Sequence, residues 1–241
     1  MRMMWPILIG LVGVFIILGF LFWYACVVPS SQVLGPALVE RPDLGQKVVL
    51  TFDDGPSESS TEKILDILRD KKVPATFFVC GKNVERLPDT VRRALAEGHT
   101  IGNHTYSHLF LYFRRRATMA AEIDRSQEVL ERVTGQRPKL FRPPYGGRWF
   151  GLYPVLRERG MQLVLWSNAG YDWKNDTDGI VRDTLKALRP GSVILLHDGL
   201  ERRPPNEINQ INTLRALPQI IDGVRKAGFT FVPIHEFLAT E

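Results

Sequence analysis

Cysteine is scarce in this chain, and its two residues suit neither a disulfide nor a metal cluster. Cys26 ends a long apolar run, whereas Cys80 ends a short apolar segment that predicts a β-strand. Because their contexts differ so much, we expect no disulfide between them and no cysteine metal cluster. Internal repeats and low-complexity tracts are also missing, which excludes repeat and fibrous architectures.

A strong charge of either sign is missing as well. The 241 residues include 31 Lys plus Arg and 26 Asp plus Glu, which gives a net charge of +5 and a pI near 9.3. This modest excess is spread along the chain, so we expect no nucleic-acid partner. It suits polyanionic envelope polymers or membrane surfaces as well. The length and the 44% hydrophobic content are enough for one sizeable domain.

The longest stretch without charge lies near the N-terminus, between Trp5 and Val28. It is long enough to cross a bilayer with room for tilt, and it exceeds the usual apolar core of a cleavable signal. Aromatic side chains that favour membrane interfaces lie at its ends, namely Trp5, Trp23 and Tyr24. Residues 1–28 are therefore predicted to form a cytoplasmic N-terminus and one transmembrane anchor.

Positive charge decides the predicted orientation of this anchor. Arg2 and the amino terminus supply the only nearby positive charge on the short side, which favours a cytoplasmic N-terminus. Everything after Pro29 then lies outside, so we expect a single-pass protein of the cytoplasmic membrane with an extracytoplasmic catalytic domain. A cleaved signal peptide is the alternative, although no clear small-x-small cleavage site follows the run.

The rest of the chain alternates between two kinds of segment. Residues 29–46, with proline, glycine and serine, predict a linker, and residues 47–241 predict the catalytic domain. Short apolar segments predict strands near residues 47–53, 75–80, 99–103, 139–143, 162–167, 192–197 and 229–233. Longer segments predict helices near residues 60–71, 88–97, 117–133, 152–159, 178–188 and 213–227. We predict a distorted (β/α) barrel of about seven parallel strands, with a doubly wound open sheet as the alternative.

Residues able to do chemistry cluster where the predicted strands end. They are Asp53 and Asp54 after the first strand, His104 and His108 after the third, Arg142 and Tyr145 after the fourth, Asp172 and Trp173 after the fifth, and His197 and Asp198 after the sixth. In a barrel all these ends meet on one face, which is where active sites are built. We therefore expect a single site that contains them.

The pair Asp53–Asp54 ends the first predicted strand and is followed by Gly-Pro. Two adjacent acids point to opposite faces inside a strand, but both can reach one cavity where the chain turns. Repulsion between such close carboxylates is costly unless a cation or a proton relieves it. The alternative is an ordinary polar turn.

The two histidines of the sequence Asn-His-Thr-Tyr-Ser-His have the spacing of a metal site. His104 and His108 are four residues apart, so on one helical turn they would point the same way. With an acid at the neighbouring strand end they form a set of two histidines and one carboxylate with positions open to water. Zinc is the first expectation, and iron, cobalt or nickel would also fit. The alternative is a pair of exposed loop histidines.

His197 ends the apolar run Val-Ile-Leu-Leu and has two interpretations. A histidine there is either a capped core residue or a proton donor. Facing a metal and a spare carboxylate, the donor role is favoured, because metal-assisted hydrolysis needs both a base and an acid.

The ordered motifs of this chain resemble those of the polysaccharide deacetylases, carbohydrate esterase family four. The motifs are Thr51-Phe52-Asp53-Asp54-Gly55-Pro56, His104-Thr105-Tyr106-Ser107-His108, Arg142-Pro143-Pro144-Tyr145-Gly146, Asp172-Trp173 and Leu195-Leu196-His197-Asp198. The resemblance covers about residues 47–238. It implies a distorted (β/α) barrel and the metal-dependent removal of N-acetyl groups from amino-sugar polymers such as peptidoglycan, chitin-like chains or exopolysaccharide.

The resemblance also implies a role for each residue that matches a motif. Asp53 would be the general base, and Asp54, His104 and His108 would be the metal ligands. Arg142 would pair with an active-site carboxylate and tune the base.

Further roles follow for the motifs nearer the C-terminus. The backbone N–H of Tyr145 would hold the oxyanion, and His197 would be the general acid. Asp172 would support this machinery, Trp173 would wall the groove, and Leu195 would line the pocket for the acetyl methyl group.

Two segments depart from the family pattern. Leu109–Arg116 is unusually aromatic and basic, and it is either a packing patch with a solvated charge run or a surface that contacts an anionic polymer or the membrane. Gly199–Gln210, rich in Arg, Pro and Asn, is expected to rim the site. Both segments leave the identity of the substrate undecided.

Three rival functions remain at this point. A hydrolase of another amide or of a cyclic imide would use the same site. A carbohydrate-binding protein without catalysis would not need Asp53, Arg142 and His197. An iron oxygenase shares the ligand set, but it would need a cosubstrate site that the sequence does not reveal, and its acid–base pair would be idle.

Overall fold

The computed structural model describes residues 4–199 and 207–238, with side chains described for residues 10–199 and 211–238. Arg2, on which the predicted topology depends, and residues 200–206 of the expected rim lie outside the described residues. So does the C-terminal end of the predicted catalytic domain. The boundaries of anchor, linker and catalytic domain stay predictions.

The helices and strands follow the predicted alternation. The helices are α1 (Met4–Val27), α2 (Thr61–Lys71), α3 (Gly81–Arg86), α4 (Pro88–Ala96), α5 (Arg116–Thr134), α6 (Leu152–Glu158), α7 (Thr177–Lys186) and α8 (Glu207–Lys226). The strands are β1 (Lys47–Asp53), β2 (Ala75–Val79), β3 (Thr100–Asn103), β4 (Leu140–Phe141), β5 (Gln162–Leu163), β6 (Asn168–Ala169), β7 (Val193–His197) and β8 (Thr230–Phe231). Short α3 was not predicted from the sequence.

All the strand pairs are parallel, and their order is β5-β4-β3-β2-β1-β7-β6, with β8 added beside the start of β1. Among the described residues β5 and β6 do not pair with each other, so the barrel is incomplete on that side. The predicted distorted (β/α) barrel of parallel strands is confirmed. The predicted fifth strand, 162–167, is a strand only at its start, where β5 pairs with β4. The chain then crosses to β7, where β6 begins one residue beyond the predicted end.

The core explains why the central strands lack the alternation of a half-exposed sheet. Every residue of β1 after Lys47 is buried. On the outer face Leu50 and Phe52 pack with apolar residues of α2 and α8. On the inner face Val49 packs with Phe78 of β2 and Val193 of β7. A strand that is covered on both faces reads as a continuous apolar run.

Part of the segment expected as a linker lies across the incomplete side of the barrel. The Leu38 N–H donates to the Leu163 carbonyl at 2.9 Å, and the Leu38 carbonyl accepts from the Leu165 N–H at 2.8 Å. Further on, the Arg41 N–H donates to the Gly191 carbonyl at 2.9 Å. These bonds satisfy backbone groups that an open sheet edge would leave unpaired.

α1 stands apart from this core. It is long and apolar enough to cross a membrane by length and composition alone, a test that a signal sequence also passes. Its side chains from Leu11 to Val27 are largely exposed, with Phe15 72% and Ile16 67% accessible. Among its side chains from residue 10 onward, those buried against the catalytic domain are in the last turn, at Ala25 and Cys26.

Candidate active site

The two carboxylates at the end of β1 reach the same cavity because the chain turns between them. Asp53 is the last residue of the strand, and Asp54 adopts φ 77, which breaks the extended conformation. The Asn83 amide holds this turn by donating to the Asp54 carbonyl at 2.8 Å. Gly55 follows, and a side chain there would collide with the carboxylate of Asp198. Glycine is therefore required at this position.

His104 and His108 lie on a loop after β3, so the predicted helical turn is wrong. Thr105 has φ 66 and His108 has φ 57, both in the left-handed region. The Asn103 side chain accepts from the Thr105 N–H at 2.8 Å and shapes this loop. The two imidazoles nevertheless converge, because their Nε2 atoms lie 3.2 Å and 3.0 Å from the same Asp54 oxygen.

The donor set of Asp54, His104 and His108 fits a divalent cation. His104 Nδ1 lies 2.7 Å from the Arg142 carbonyl, which can only accept, so Nδ1 carries the proton and the Nε2 lone pair faces Asp54 in the neutral ring. Nitrogen and carboxylate acceptors that face one another at such distances repel unless a cation lies between them. All three residues are buried, and their ligand atoms lie within 4.8 Å of one another.

Burial and the two imidazoles have opposite effects on the pKa of Asp54. Without a metal, burial raises the pKa of Asp54, but hydrogen bonds that the imidazoles of His104 and His108 can then donate and the nearby imidazole charges outweigh it and hold this pKa far below its usual range. Burial likewise opposes the charged form of His104, yet the charges of Asp53 and Asp54 raise its pKa. The site therefore keeps its carboxylate ionised, as a metal ligand must be.

Asp53 lies beside this set and is paired with a buried arginine. Arg142 Nη1 donates to Asp53 Oδ1 at 2.6 Å and to Thr51 Oγ1 at 2.9 Å. Its Nη2 donates to the Leu165 carbonyl at 2.9 Å, so the guanidinium is held from several sides. Burial lowers the pKa of Arg142, and the charge of Asp53 and its hydrogen bond offset part of this shift. The second Asp53 oxygen lies 3.9 Å from His104 Nε2, at the edge of the metal position.

His197 ends β7, the strand next to β1, and is the register partner of Asp53. Asp172 accepts from the His197 backbone N–H at 2.7 Å and lies 2.8 Å from its Nδ1. Thr213 of α8 donates to the same carboxylate at 3.0 Å. Burial lowers the pKa of His197, but the Asp172 charge and hydrogen bond outweigh it and raise this pKa to about 10.

The three predicted groove residues lie around these groups. Trp173 is 40% exposed, and its ring centre lies 5.2 Å from that of His197. Leu195 is buried two residues before His197, so both side chains point into the barrel. Tyr145 adopts φ 59 within a 3₁₀ turn, and its ring lies 4.8 Å from the His108 ring.

Some residues that shape the site were given no role by the sequence. Asp198 accepts from the Gly55 N–H and from Thr61 Oγ1, and burial raises its pKa to about 7. Its place at the end of the sixth predicted strand put it in the expected site, but without a role. Thr51 precedes Asp53 by two residues and therefore points to the same face of β1. Thr213 has no signal in the sequence, because only the fold brings α8 to Asp172.

Comparison with known proteins decides the family. The sequence profile described as polysaccharide deacetylase matches residues 40–164, more than half of the chain. The chain belongs to the polysaccharide deacetylase family. The resemblance carried by the five motifs is therefore confirmed, and the chain is a hydrolase that acts on carbon–nitrogen bonds other than peptide bonds.

Individual members of the polysaccharide deacetylase family are similar over most of this chain. A peptidoglycan-N-acetylglucosamine deacetylase of Bacillus cereus is 37% identical over 202 residues, which cover 83% of this chain and 91% of the relative. A chitooligosaccharide deacetylase of Bradyrhizobium sp. is 36% identical over 195 residues, 78% of this chain and 89% of the relative. A crystal structure of a peptidoglycan N-acetylglucosamine deacetylase superposes with a TM-score of 0.78 at 36% identity, covering 85% of this chain and 93% of the other.

Proposed function

We propose that this deacetylase removes N-acetyl groups from amino-sugar polymers of the cell envelope, with zinc bound by Asp54, His104 and His108. One observation carries the proposal. A metal-ligand set, a carboxylate paired with arginine and a histidine paired with aspartate surround one cavity at the carboxyl ends of the strands. Amide hydrolysis needs these three functions together.

A divalent metal at this set would polarise the amide carbonyl and increase the acidity of a water molecule. Asp53, held by Arg142, is suited to accept a proton from that water as it attacks the carbonyl carbon. His197 is suited to donate its proton to the amide nitrogen as the carbon–nitrogen bond breaks, because Asp172 keeps it protonated at neutral pH. The products are acetate and a free amino sugar, so one water molecule is consumed for each acetyl group removed.

The remaining groove residues suit an N-acetyl substrate. Leu195 is the apolar residue nearest to His197 on the inner face and would contact the acetyl methyl group. The Tyr145 backbone N–H would stabilise the developing oxyanion. The partly exposed Trp173 ring would stack against a sugar ring at the edge of the groove.

Membrane anchoring is the second part of the proposal. We propose that α1 crosses the cytoplasmic membrane with the N-terminus inside and the catalytic domain outside. The exposed apolar surface of α1 supports this location, because such a surface is stable only in lipid or in a protein complex. Reporter fusions to each end test the topology. Activity of a C-terminal reporter that works only in the cytoplasm would contradict it.

Acetate release from a panel of purified glycans tests the activity. The full chain is stripped of metal, reloaded with zinc, and assayed on acetylated peptidoglycan, chitooligosaccharides, an acetylated exopolysaccharide, and small amides and cyclic imides. We expect zinc-dependent acetate release from at least one glycan and none from the small amides. Turnover of the imides alone would favour the rival hydrolase, and glycan binding without acetate release would favour a binding protein.

A further inference from the structure

The end of α1 is joined to the catalytic domain by several hydrogen bonds. The Cys26 carbonyl accepts from the Arg148 N–H at 3.1 Å and from the Tyr112 hydroxyl at 2.9 Å. The Arg148 guanidinium is fully buried and donates to the carbonyls of Val28 and Ser31. A cation at the C-terminal end of a helix is favourable, because that end carries partial negative charge. The helix therefore enters the domain without a flexible joint.

An exposed aromatic surface surrounds this junction. The surface, here the juxtamembrane patch, consists of Phe110, Phe113, Arg114, Arg115, Trp149 and Phe150. Phe113 is 79% exposed, Phe150 58% and Phe110 38%. The Phe113 ring lies 4.6 Å from that of Trp149, and Trp149 lies 5.3 Å from Phe150, so the rings form one continuous group. A soluble protein rarely exposes large apolar side chains in such a cluster.

Contacts with α1 give the depth of this patch relative to a bilayer. The Phe22 ring lies 5.6 Å from that of Trp149 and 5.8 Å from that of Phe150. The 24 residues of α1 span about 36 Å, roughly 6 Å more than a hydrocarbon core. Phe22 precedes the end of the helix at Val27 by about 7.5 Å. The rings that touch Phe22 would therefore lie at the boundary between acyl chains and headgroups, where aromatic side chains are favoured.

The charge next to these rings suits lipid headgroups. Arg114 and Arg115 are exposed, and among the described residues neither forms an ion pair. Arginines near a membrane surface are attracted to anionic phospholipids. Arg116, the next residue, is by contrast paired with Glu158. The juxtamembrane patch is therefore apolar at its centre, where the rings lie, and basic at its edge, where Arg114 and Arg115 lie.

The patch begins beside the active site. The His108 ring lies 4.8 Å from the Tyr145 ring, and the Tyr145 ring lies 5.6 Å from that of Phe110. We propose that the juxtamembrane patch rests in the headgroup layer on the outer face of the cytoplasmic membrane. The active site would then open at the lipid surface and act on glycan held there. This inference rests on the proposed anchoring by α1.

Fluorescence quenching at single labelled cysteines tests the inference. The full chain carries Phe113→Cys, labelled with bimane, and is reconstituted into vesicles of phosphatidylethanolamine and phosphatidylglycerol. Both native cysteines are buried, so the label goes to the new site. Asp70→Cys at the far end of α2 is the matched control, because its side chain is 71% exposed and lies away from the carboxyl ends of the strands. We expect iodide quenching to be several-fold weaker at position 113 than at position 70, and quenching by shallow doxyl lipids only at position 113.

Each other outcome overturns the inference in a recognisable way. Equal iodide quenching at both positions, in protein that stays in the vesicles after alkaline carbonate extraction, means that the anchor is right but the patch faces water. Release by carbonate means that the anchoring itself is wrong, and the docking proposal falls with it. Protection of position 113 by chitooligosaccharide in detergent without lipid means that the patch binds glycan. Acetate release by the labelled protein shows separately whether the deacetylase assignment holds.

Discussion

Two fully buried arginines, Arg142 and Arg148, lie six residues apart and bind different kinds of partner. Arg142 donates to the carboxylate of Asp53, to Thr51 and to the Leu165 carbonyl, with its guanidinium carbon 4.1 Å from the Phe78 ring centre. Arg148 has no ion pair among the described residues. Its guanidinium donates to the carbonyls of Val28 and Ser31, in the segment that leaves α1.

The contrast shows how one side chain type supports either chemistry or attachment. A buried guanidinium beside a carboxylate offsets its charge and fixes its position, which the proposed general base requires. A buried guanidinium among carbonyls at a helix end fixes the direction of that helix instead. The loop between the two arginines carries Tyr145, so one short segment links the active site to the proposed membrane anchor.

The largest expected effect is the loss of turnover in Asp53→Asn. Asparagine has the shape of aspartate but cannot accept the proton, so we expect acetate release to fall by about 10³-fold or more. Zinc content, measured by atomic emission, should be unchanged because Asp54 and both histidines remain. His104→Ala is the control that should lose zinc. A variant that retains turnover within about tenfold of the wild type would show that Asp53 is not the base.

Arg142→Met should destabilise the protein by about 3–5 kcal/mol, because it leaves the Asp53 charge buried and unpaired. The measurement is unfolding by urea of the full chain in detergent micelles. The double variant Arg142→Met with Asp53→Asn should recover part of this loss, since the unpaired charge is gone. Strict additivity of the two changes would mean that the pair contributes nothing to folding.

Asp172→Asn should change the pH dependence of turnover, because Asp172 is the partner of His197. The folded-state pKa of His197, about 10, lies above its ordinary value of 6.5. The stabilisation from the protonated pair is therefore complete below about pH 6.5 and is lost as pH rises through about 10. Without Asp172 we expect the alkaline limb of kcat/KM to move to lower pH and kcat to fall by about 10²-fold. An unmoved alkaline limb would mean that another group sets it.

Arg148→Met should have the smallest effect of the four. Its carbonyl partners lose charged donors but carry no net charge, so we expect a destabilisation of about 1–3 kcal/mol and little change in kcat. Arg92→Gln is the matched control, because Arg92 pairs with an Asp89 side chain that is 91% exposed, and such pairs contribute little. If Arg148→Met removed turnover as completely as Asp53→Asn, the separation of chemistry from attachment would be wrong.

The sequence by itself determined the alternation of parallel strands and helices and, through the ordered motifs, the family, whereas the choice of a barrel over an open sheet came from the resemblance. Apolar runs that end in Asp53, Asn103 and His197 mark buried strands, and the carboxyl ends of parallel strands must meet on one face. Such apolar runs are recognisable because central strands such as β1 and β7 are buried on both faces. The error at His104–His108 came from spacing alone, since two imidazoles four residues apart can converge on a loop as well as on a helix.

Only the tertiary structure decided which distant groups meet. Thr213 reaches Asp172, Leu38 lies across the incomplete side of the barrel, and Arg148 binds the end of α1, each through partners far away in the chain. No local pattern encodes such contacts, because a hydroxyl or a guanidinium in the sequence is equally suited to solvent. Folding removes that solvent, and a buried polar group is then stable only where the packed chain offers it a partner.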